Sequence, residues 1–431
     1  MPEAARAREI VDQLKGRGHQ AYFVGGCVRD LLLGIAPKDY DVATDARPAE
    51  LLRMYPHAAQ VGAHFGVVLV DGVEVATFRS DAGYSDGRRP DQVVFESGPR
   101  EDALRRDFTI NGLFLEPDTG EVLDFATGRA DLAAGLIRAI GDPDKRFAED
   151  HLRLLRAVRF AARFRFSIEP VTFSAIERLA SRIADVSAER VRDELNRILT
   201  EGGARYGFEL LDATGLLAYL LPEVKRYQGV EQPPEYHPEG DVWTHTMLML
   251  EAMDHPSVPL AWGVLLHDCG KPDTFVRADR IRFNGHVEQG IQIARGILRR
   301  LRFSNEEAAQ IEALIAHHMQ FKDVPNMRQS TLKRFLRLPR FDEHMALHYL
   351  DVAFSNRNFS SHQMVEQKLQ ELGHEQLKPA PLLTGNDLIA AGYTPGPQFA
   401  KWLELVEDAQ LEGRVSTAEE ALELIRGSGS S

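Results

Sequence analysis

Apolar residues recur at helical spacing over residues 3–15, and Gly16 and Gly18 stop the pattern ahead of a short apolar run, AYFV, at 21–24. The expected order is helix, then strand. A glycine pair follows, then VRDLLLG as a short helix closed by Gly34, then KDYDVAT, whose alternation suits a strand. Further strand-like runs are GVVLV at 66–70, VEVATF at 73–78, VVF at 93–95 and FTINGLFLE at 108–116, so roughly the first 130 residues read as mixed α/β. After that the strands are expected to stop, and from about residue 147 the 3.6-residue period to dominate, in EDHLRLLRAVRFAARF, FSAIERLASRIA, ERVRDELNRIL and FELLDATGLLAYLL. The expected class is α+β, a mixed-sheet N-terminal head followed by an all-helical neck and body and a further helical domain. The proline-rich VEQPPEYHPEG at 230–240 marks a boundary. The domain plan is a head over 1–137, a neck and body over 138–229, a histidine-bearing helical domain over 230–373 and a helical tail over 374–431. A proline- and glycine-bearing stretch opens the tail, and its GSGSS end is expected to be disordered. No internal repeat is visible.

The length of 431 residues allows two to four domains at roughly 100–200 residues each. Apolar residues make up 44% and charged residues 27%, which excludes wholesale disorder, collagen and low-complexity classes. With 51 basic against 64 acidic side chains the net charge is −13, so a nucleic-acid partner must be held by local basic patches. Cys27 and Cys269 are the two cysteines, in no metal-finger spacing, and a reducing cytoplasm fits them best. The N-terminus lacks the apolar core of a signal peptide, and no run of about 18 apolar residues occurs, so neither export nor a membrane partner is expected.

Candidate chemistry in the head begins at Gly25-Gly26, where a small-residue turn into a helix lets backbone N–H groups approach phosphate oxygens. Asp39 and Asp41 follow in DYD. Read as positions i and i+2 of a strand they share a face, and two carboxylates there repel unless cations neutralise them. Aimed at one point they could hold Mg²⁺ ions about 3.5–4 Å apart, one activating an attacking hydroxyl and the other stabilising a leaving pyrophosphate. A basic cluster, Arg105-Arg106-Asp107, comes later.

The segments YFVGGCVRDLLLGIAPKDYDVATDARPAEL, EVATFRSDAGYSDGRRPDQVVF, EDALRRDFTINGL and DLAAGLIRAIGDPDKRFAEDHLRLLRAVRFAARF, in this order, resemble the class II tRNA nucleotidyltransferases and their relatives, the bacterial poly(A) polymerases. The resemblance implies that Asp39 and Asp41 are the catalytic, metal-binding carboxylates. It also places Gly25, Gly26 and Arg29 at the triphosphate, and Arg106, Asp107 and Asn111 against the nucleotide and its ribose. AEDHLRLLRAVRF matches the family's EDxxR template motif. Asp150 and Arg153, three apart on an expected helix, would share a face. Cytosine and adenine both offer an exocyclic amine beside a ring-nitrogen acceptor, so a carboxylate plus a guanidinium accepts them and refuses uracil and guanine. Arg156 and Arg159 on the same segment complete the nucleotide-binding set. Residues 138–165 carry eight basic side chains (Arg138, Lys145, Arg146, Arg153, Arg156, Arg159, Arg163, Arg165) against four acidic ones, a local surplus of four that can meet RNA phosphates. Later basic stripes are Arg299, Arg300 and Arg302, and Lys333, Arg334, Arg337 and Arg340.

Histidine and aspartate recur over 236–354, in YHPEGDVWTHTMLML, LAWGVLLHDCGKPDTF, GHVEQG, AHHMQF and LHYLDVAF. A carboxylate beside a histidine at the end of an apolar helix demands a cation or hydrogen-bond donors. This set resembles the HD-domain phosphohydrolases. His245, His267, Asp268 and Asp351 match the four-ligand pattern, and His286 and His317 match the extra histidines of two-metal members; His317 and His318 are interchangeable on spacing. Lys271 also fits. Mn²⁺, Fe²⁺, Ni²⁺, Zn²⁺ and Mg²⁺ all suit such ligands.

Together these resemblances imply a CTP- and ATP-dependent enzyme that extends the 3′ end of tRNA, with Mg²⁺ in the head and a divalent transition metal or Mg²⁺ in the HD site. The complete segment FRSDAGYSDGRRPDQVVF disfavours a C-only enzyme. An A-adding enzyme or poly(A) polymerase, an HD phosphohydrolase with an RNA-recruiting head, and a non-catalytic RNA scaffold are the alternatives. No oligomeric state is implied.

Overall fold

The computed structural model describes residues 3–60, 66–82, 92–96, 98–372 and 377–428. The chain divides into two units, Met1–Lys225 with Arg300–Arg302, and Arg226–Arg299 with Phe303–Ser431. The first unit begins with α1 (Glu3–Gly16), β1 (Ala21–Val24), α2 (Gly26–Leu32), β2 (Asp41–Thr44), α3 (Pro48–Met54), β3 (Ala59–Gln60), β4 (Val67–Val70) and β5 (Val73–Thr77). A hairpin of β6 (Arg79–Ala82) and β7 (Gln92–Phe95) follows, then α4 (Pro99–Leu104), β8 (Leu113–Leu115), β9 (Val122–Asp124) and α5 (Gly128–Ala134). Seven strands form one mixed sheet in the order β3-β4-β5-β2-β1-β8-β9. Only β2 and β5 run parallel in it. The period-2 and period-3.6 signals behave as expected: Val73, Val75 and Thr77 are buried while Glu74 is exposed, and α1 buries Ala7, Ile10, Val11 and Leu14.

Two strand expectations shrink. KDYDVAT pairs only from Asp41 onward, because the backbone N–H of Tyr40 is taken by the Glu3 carboxylate at 2.6 Å instead of a neighbouring strand. Within FTINGLFLE, Thr109–Asn111 is a 3₁₀ turn, closed by Asn111 N–H to Phe108 O (2.9 Å) and braced by the Thr109 hydroxyl donating to Asp131 (2.7 Å). Nor do the strands stop after roughly the first 130 residues. Two-residue strands β10 (Leu136–Ile137) and β11 (Ser167–Ile168) pair in parallel, and β12 (Val276–Arg277) and β13 (Ile281–Arg282) form a hairpin.

The rest of this unit is helical: α6 (Pro143–Glu149), α7 (Leu152–Phe164), α8 (Pro170–Leu179), α9 (Ala188–Thr200), α10 (Ala204–Ala213), α11 (Leu216–Leu220) and α12 (Pro222–Lys225). The helix expected over EDHLRLLRAVRFAARF begins only at Leu152, as α7; Glu149 ends α6, and Asp150 between them has an extended backbone (φ −152°, ψ 105°). The start of α10 lies hard against α7: Gly203 has φ +73°, and a Cβ there would stand 2.1 Å from Ala162 O. A side chain at this position is excluded by both conformation and space.

The second unit contains α13 (Val242–Ala252), α14 (Val258–Leu266), α15 (Lys271–Thr274), α16 (His286–Arg300), α17 (Asn305–His317), α18 (Gln329–Leu336), α19 (Phe341–Ala353) and α20 (Ser360–Glu371). The sequence of α14, VPLAWGVLL, is apolar all round, so it is the buried helix on which α13, α17 and α19 pack. The last helices, Gly385–Ala390, Gln398–Leu411 and Ala418–Ser428, gather on Leu383, Leu388, Val406, Ala421 and Ile425. Parts of the proline- and glycine-bearing stretch that opens the tail and of the GSGSS end lie outside the described residues, as do residues 83–91 of the segment used against a C-only enzyme. Among the described residues no helix is long and apolar enough to cross a membrane.

Candidate functional site

Register assembles the head site. Val24, the last residue of β1, pairs with Asp41 on one side and Phe114 on the other. The Gly25-Gly26 turn therefore sits between the start of β2 and the FTIN turn. Gly25 donates its N–H to Leu113 O at 3.2 Å and adopts φ +68°, and a Cβ there would come within 2.8 Å of Arg106 Nη1. Arg29, one turn on, is buried. Its Nε donates to Asp30 (2.8 Å), its Nη1 donates to Asn111 Oδ1 (2.7 Å), and its guanidinium lies over the rings of Phe160 and Phe164. Here Arg29 braces the turn against Asn111.

Asp39 stands in the bend before β2, exposed, and Asp41 at its first residue, half-buried. The two aspartates are not consecutive same-face positions of one strand, as DYD alone suggested. What keeps them together is the Tyr40 backbone tied to Glu3, and the Tyr40 ring edge-on to Phe23 at 5.4 Å. Because Val42 pairs with Val75, Glu74 is brought beside Asp41. Burial first, and then Glu74 and Asp39, push the Asp41 carboxyl up to about 6, with Arg106 opposing. Asp41 thus meets neighbouring negative charge with only Arg106 to offset it, the chemistry a divalent cation relieves, although Asp39, Asp41 and Glu74 do not form a set of ligand atoms as close as the histidine groups described below. Sequence reading missed Glu74; the alternation of VEVAT exposes it, but only the β2–β5 pairing says what it faces.

Asp107 is buried and fully bonded: Oδ1 accepts from Phe108 N–H (2.8 Å) and Asn111 Nδ2 (3.0 Å), and Oδ2 accepts from Arg156 Nε (2.9 Å) and Nη2 (2.7 Å). Burial alone would raise its pKa, but Arg156, Asn111 and Arg153 outweigh that and hold the carboxyl well below the usual range. Arg106 donates to Asp102 through Nε (3.2 Å) and Nη2 (3.0 Å). Asp150 and Arg153 do not share a helix face. Asp150, in the break between α6 and α7, accepts both Arg190 nitrogens (3.1 and 2.7 Å), whereas Arg153 bonds to Glu149 and to Arg146 O. Arg159 is buried on Glu194 at 2.5 Å.

The basic patch expected over 138–165 is largely neutralised. Arg138 pairs with Asp131, Arg146 with Glu149, Arg156 with Asp107 and Arg163 with Asp30. The acidic partners lie up to 133 residues away in sequence, so a window count could not see them. In the second unit Arg334 and Arg337 likewise meet Glu407, and Lys333 donates to Leu411 O.

The histidine set converges in the second unit. His245, His267 and Asp351 bring ligand atoms within 4.8 Å of one another, as do Asp268, His286 and His318. His318 and not His317 joins the cluster. His317 ends α17, and the next residue turns into the 3₁₀ segment His318–Asn326, which rotates the two rings apart; the His317 ring lies 5.8 Å from that of His344. His237 and Glu239 join His245 in a third group that sequence reading missed. The Nε2 atoms of His245 and His267 are buried without a hydrogen-bond partner among the described residues, although Asp351 and Asp268 oxygens stand 3.2 Å away. For His286 and His318, burial lowers the pKa, in His318 to about 4, so both rings are neutral, ligand-competent imidazoles at pH 7. Asp268, Lys271, His286, His318 and Asp351 line a cavity of about 990 Å³ that also exposes Arg282 and Lys322. The pKa of His245 moves the other way: burial opposes its charge, but Asp351 and Glu239 outweigh burial and push it up to about 9. Imidazole nitrogens buried against carboxylates need a cation between them, and the donor set fits a metal in the place of that proton.

His344 is buried, and both its ring nitrogens lack a hydrogen-bond partner among the described residues. Burial, and then His317, pull its pKa down to about 4. The unfolded chain protonates near 6.5, so between about pH 6.5 and 4 it binds the extra proton and stability falls as pH falls. His344→Phe should flatten that decline by up to about 1.4 kcal/mol per pH unit, read as urea midpoints from pH 7 to 4.5. An unchanged slope would show that His344 titrates alike in the folded and unfolded chain.

The head is thus a mixed sheet in which the Gly-Gly turn, Asp41 and the RRDFTIN segment lie at one end of the central strands. The family model described as "Poly A polymerase head domain" matches residues 21–138, one described as "Probable RNA and SrmB- binding site of polymerase A" matches 165–228, and one described as "tRNA nucleotidyltransferase domain 2 putative" matches 286–425. The CCA-adding enzyme of Leuconostoc mesenteroides is 32% identical over 97% of this chain and 94% of its own length. That of Latilactobacillus sakei is 41% identical over 56% of this chain. The chain spans less than two thirds of several such curated relatives, 63% of the Latilactobacillus sakei protein and 54% of that of Limosilactobacillus reuteri. The crystal structure of the Bacillus stearothermophilus CCA-adding enzyme in complex with CTP superposes with a TM-score of 0.75 at 26% identity, covering 100% of this chain and 98% of that one. The chain belongs to the CCA-adding enzyme family.

Proposed function

We propose that this chain extends the 3′ end of tRNA with CMP and AMP, using CTP and ATP and releasing pyrophosphate. The observation that carries this is the β1–β2–β5 register, which collects Gly25, Gly26, Asp41 and Glu74 at one edge of the sheet in a family member aligned over nearly its whole length. Asp39 and Asp41, with Glu74 as a third carboxylate, would hold Mg²⁺, which supplies activation of the attacking hydroxyl and charge neutralisation of the leaving group. Gly25 and Gly26 leave room for a phosphate beside the backbone, and Arg29 keeps that turn rigid through Asn111. Asp107, Arg156 and Arg159 frame the nucleotide. Asp150, held by Arg190, accepts the base amine, and Arg153 donates to the ring. Arg153→Ala should reduce the CTP-over-UTP preference in kcat/KM by about 10–100-fold, the worth of one bidentate base contact; an unchanged ratio would count against base reading by this arginine. The activity is tested with tRNA transcripts lacking all three or only the last of the terminal nucleotides, and with generic RNA, each given CTP or ATP and sized. Two cytidines then one adenosine is the expected product. Adenosine alone, or long adenosine tails on generic RNA, would favour the A-adding or poly(A) alternatives.

The second unit has its own reading, an HD-type metal-dependent phosphohydrolase, favoured by the Nε2 atoms of His245 and His267, which have no hydrogen-bond partner among the described residues, beside a cavity that carries Lys271 and Lys322. A bound metal supplies an activated water, while the lysines offer charge to a phosphate. Hydrolysis of a chromogenic phosphate ester with added Mn²⁺ or Ni²⁺, lost in Asp268→Ala, is the expected result; no turnover with any divalent ion would sink it.

A further inference from the structure

We infer that Glu239 is the positioning residue that fixes the ring orientation and tautomer of His245. This rests on the reading of the second unit's cluster as a metal centre. Glu239 lies in the turn before α13, and its Oε1 is 2.7 Å from His245 Nδ1 and 2.8 Å from His237 Nδ1. The main-chain oxygen of Phe354 lies 3.2 Å from the same His245 nitrogen. A carboxylate and a carbonyl can only accept, so His245 must carry its hydrogen on Nδ1. In the neutral ring the lone pair is then on Nε2. That atom is completely buried and faces Asp351 Oδ1 at 3.2 Å, a contact that a proton completes in the metal-free protein and that a bound metal cation would complete in its place.

His267 is oriented the same way by different means. Its Nδ1 donates to Val264 O at 2.9 Å and its Nε2 is unpartnered among the described residues. The two rings thus present Nε2 atoms to one point shared with Asp351. A main-chain carbonyl behind His267 survives any side-chain substitution; the carboxylate behind His245 does not. Glu239 is itself only 9% exposed, and its negative charge raises the basicity of the imidazole it holds, as carboxylates behind metal-binding histidines do. His237 steadies that carboxylate from the other side.

The test uses the full chain and Mn²⁺ as the probe, with affinity read by competition against a fluorescent chelator. Glu239→Ala should weaken binding by about 10–100-fold. Glu239→Gln should lose less, because its amide oxygen still accepts the Nδ1–H. Ring-¹⁵N spectra of metal-free protein, taken at a pH where the ring is neutral, should show His245 as the Nδ1–H tautomer in the wild type and a larger share of the other tautomer in Glu239→Ala, where only the weaker Phe354 carbonyl remains on Nδ1, a change that a purely packing role would not produce. Equal Mn²⁺ affinity and an unchanged tautomer in Glu239→Ala would overturn the Glu239 assignment while leaving the metal centre standing. If the wild type itself binds no Mn²⁺, the metal-centre reading falls and the assignment with it. Should Glu239→Ala fail to fold, Glu239→Gln decides, wild-type affinity counting against Glu239.

Discussion

Asp41→Ala should cut nucleotide incorporation by about 10³-fold or more while leaving tRNA binding within about twofold, because losing a metal-anchoring carboxylate removes several kcal/mol of transition-state stabilisation. Two features separate this loss from simple unfolding. Asp41 is a strained participant in the fold, its carboxyl pushed up to about 6 by burial and by Glu74 and Asp39, so removing its charge relieves repulsion. The strand it begins is held by backbone pairing with β1 and β5, which alanine keeps. The variant should therefore unfold at the same urea concentration as the wild type or a higher one. Asp41→Asn should be as inactive, since it preserves shape but not charge. Radiolabelled CMP transfer and tRNA filter binding check both arms, and normal incorporation by either variant would remove Asp41 from the chemistry.

Asp107→Ala should destabilise the first unit by about 3 kcal/mol, the lower end of the range for breaking a buried ion pair, since Arg156 keeps some contact with water. The substitution strands four donors at once: Phe108 N–H, the Asn111 amide and two Arg156 nitrogens. The sign with pH follows from the depressed carboxyl. Its stabilisation is complete above the unfolded value of about 3.9 and is lost as pH falls below it. Urea unfolding at pH 7 and pH 3.5 should thus show a large gap between wild type and variant at neutrality and a smaller one in acid. A gap of equal size at both would mean that Asp107 contributes packing and not charge.

How legible each part was depends on how local its cause is. The helices α1, α7 and α9, the strands β1, β4 and β5, and the turn closed by Gly34 follow from periodicity and from residues within a few positions of one another. The head motifs were legible for the same reason: Gly25-Gly26, DYD and RRDFTIN are short runs. Legibility failed where a distant group competed for a backbone or side-chain bond. Glu3 takes the Tyr40 N–H and shortens β2; Arg190 takes Asp150 and removes it from a shared face with Arg153; acidic partners from elsewhere cancel most of the 138–165 charge surplus. The His317–His318 ambiguity is a case where one residue of helix rotation, about 100°, selects the ring, and no spacing rule fixes the residue at which a helix tightens to 3₁₀.

The sequence by itself determined the class of fold, the order of the motifs and the residue types able to hold cations and phosphates, because hydrophobic periodicity and side-chain chemistry are properties of short stretches. Tertiary structure alone decided which of those residues meet. The β1–β2–β5 register, the break at Asp150 and the packing of α13, α14 and α19 around His245, His267 and Asp351 are set by contacts between segments tens to hundreds of residues apart. Their free energies come from burying surfaces and pairing charges that no single stretch of chain contains.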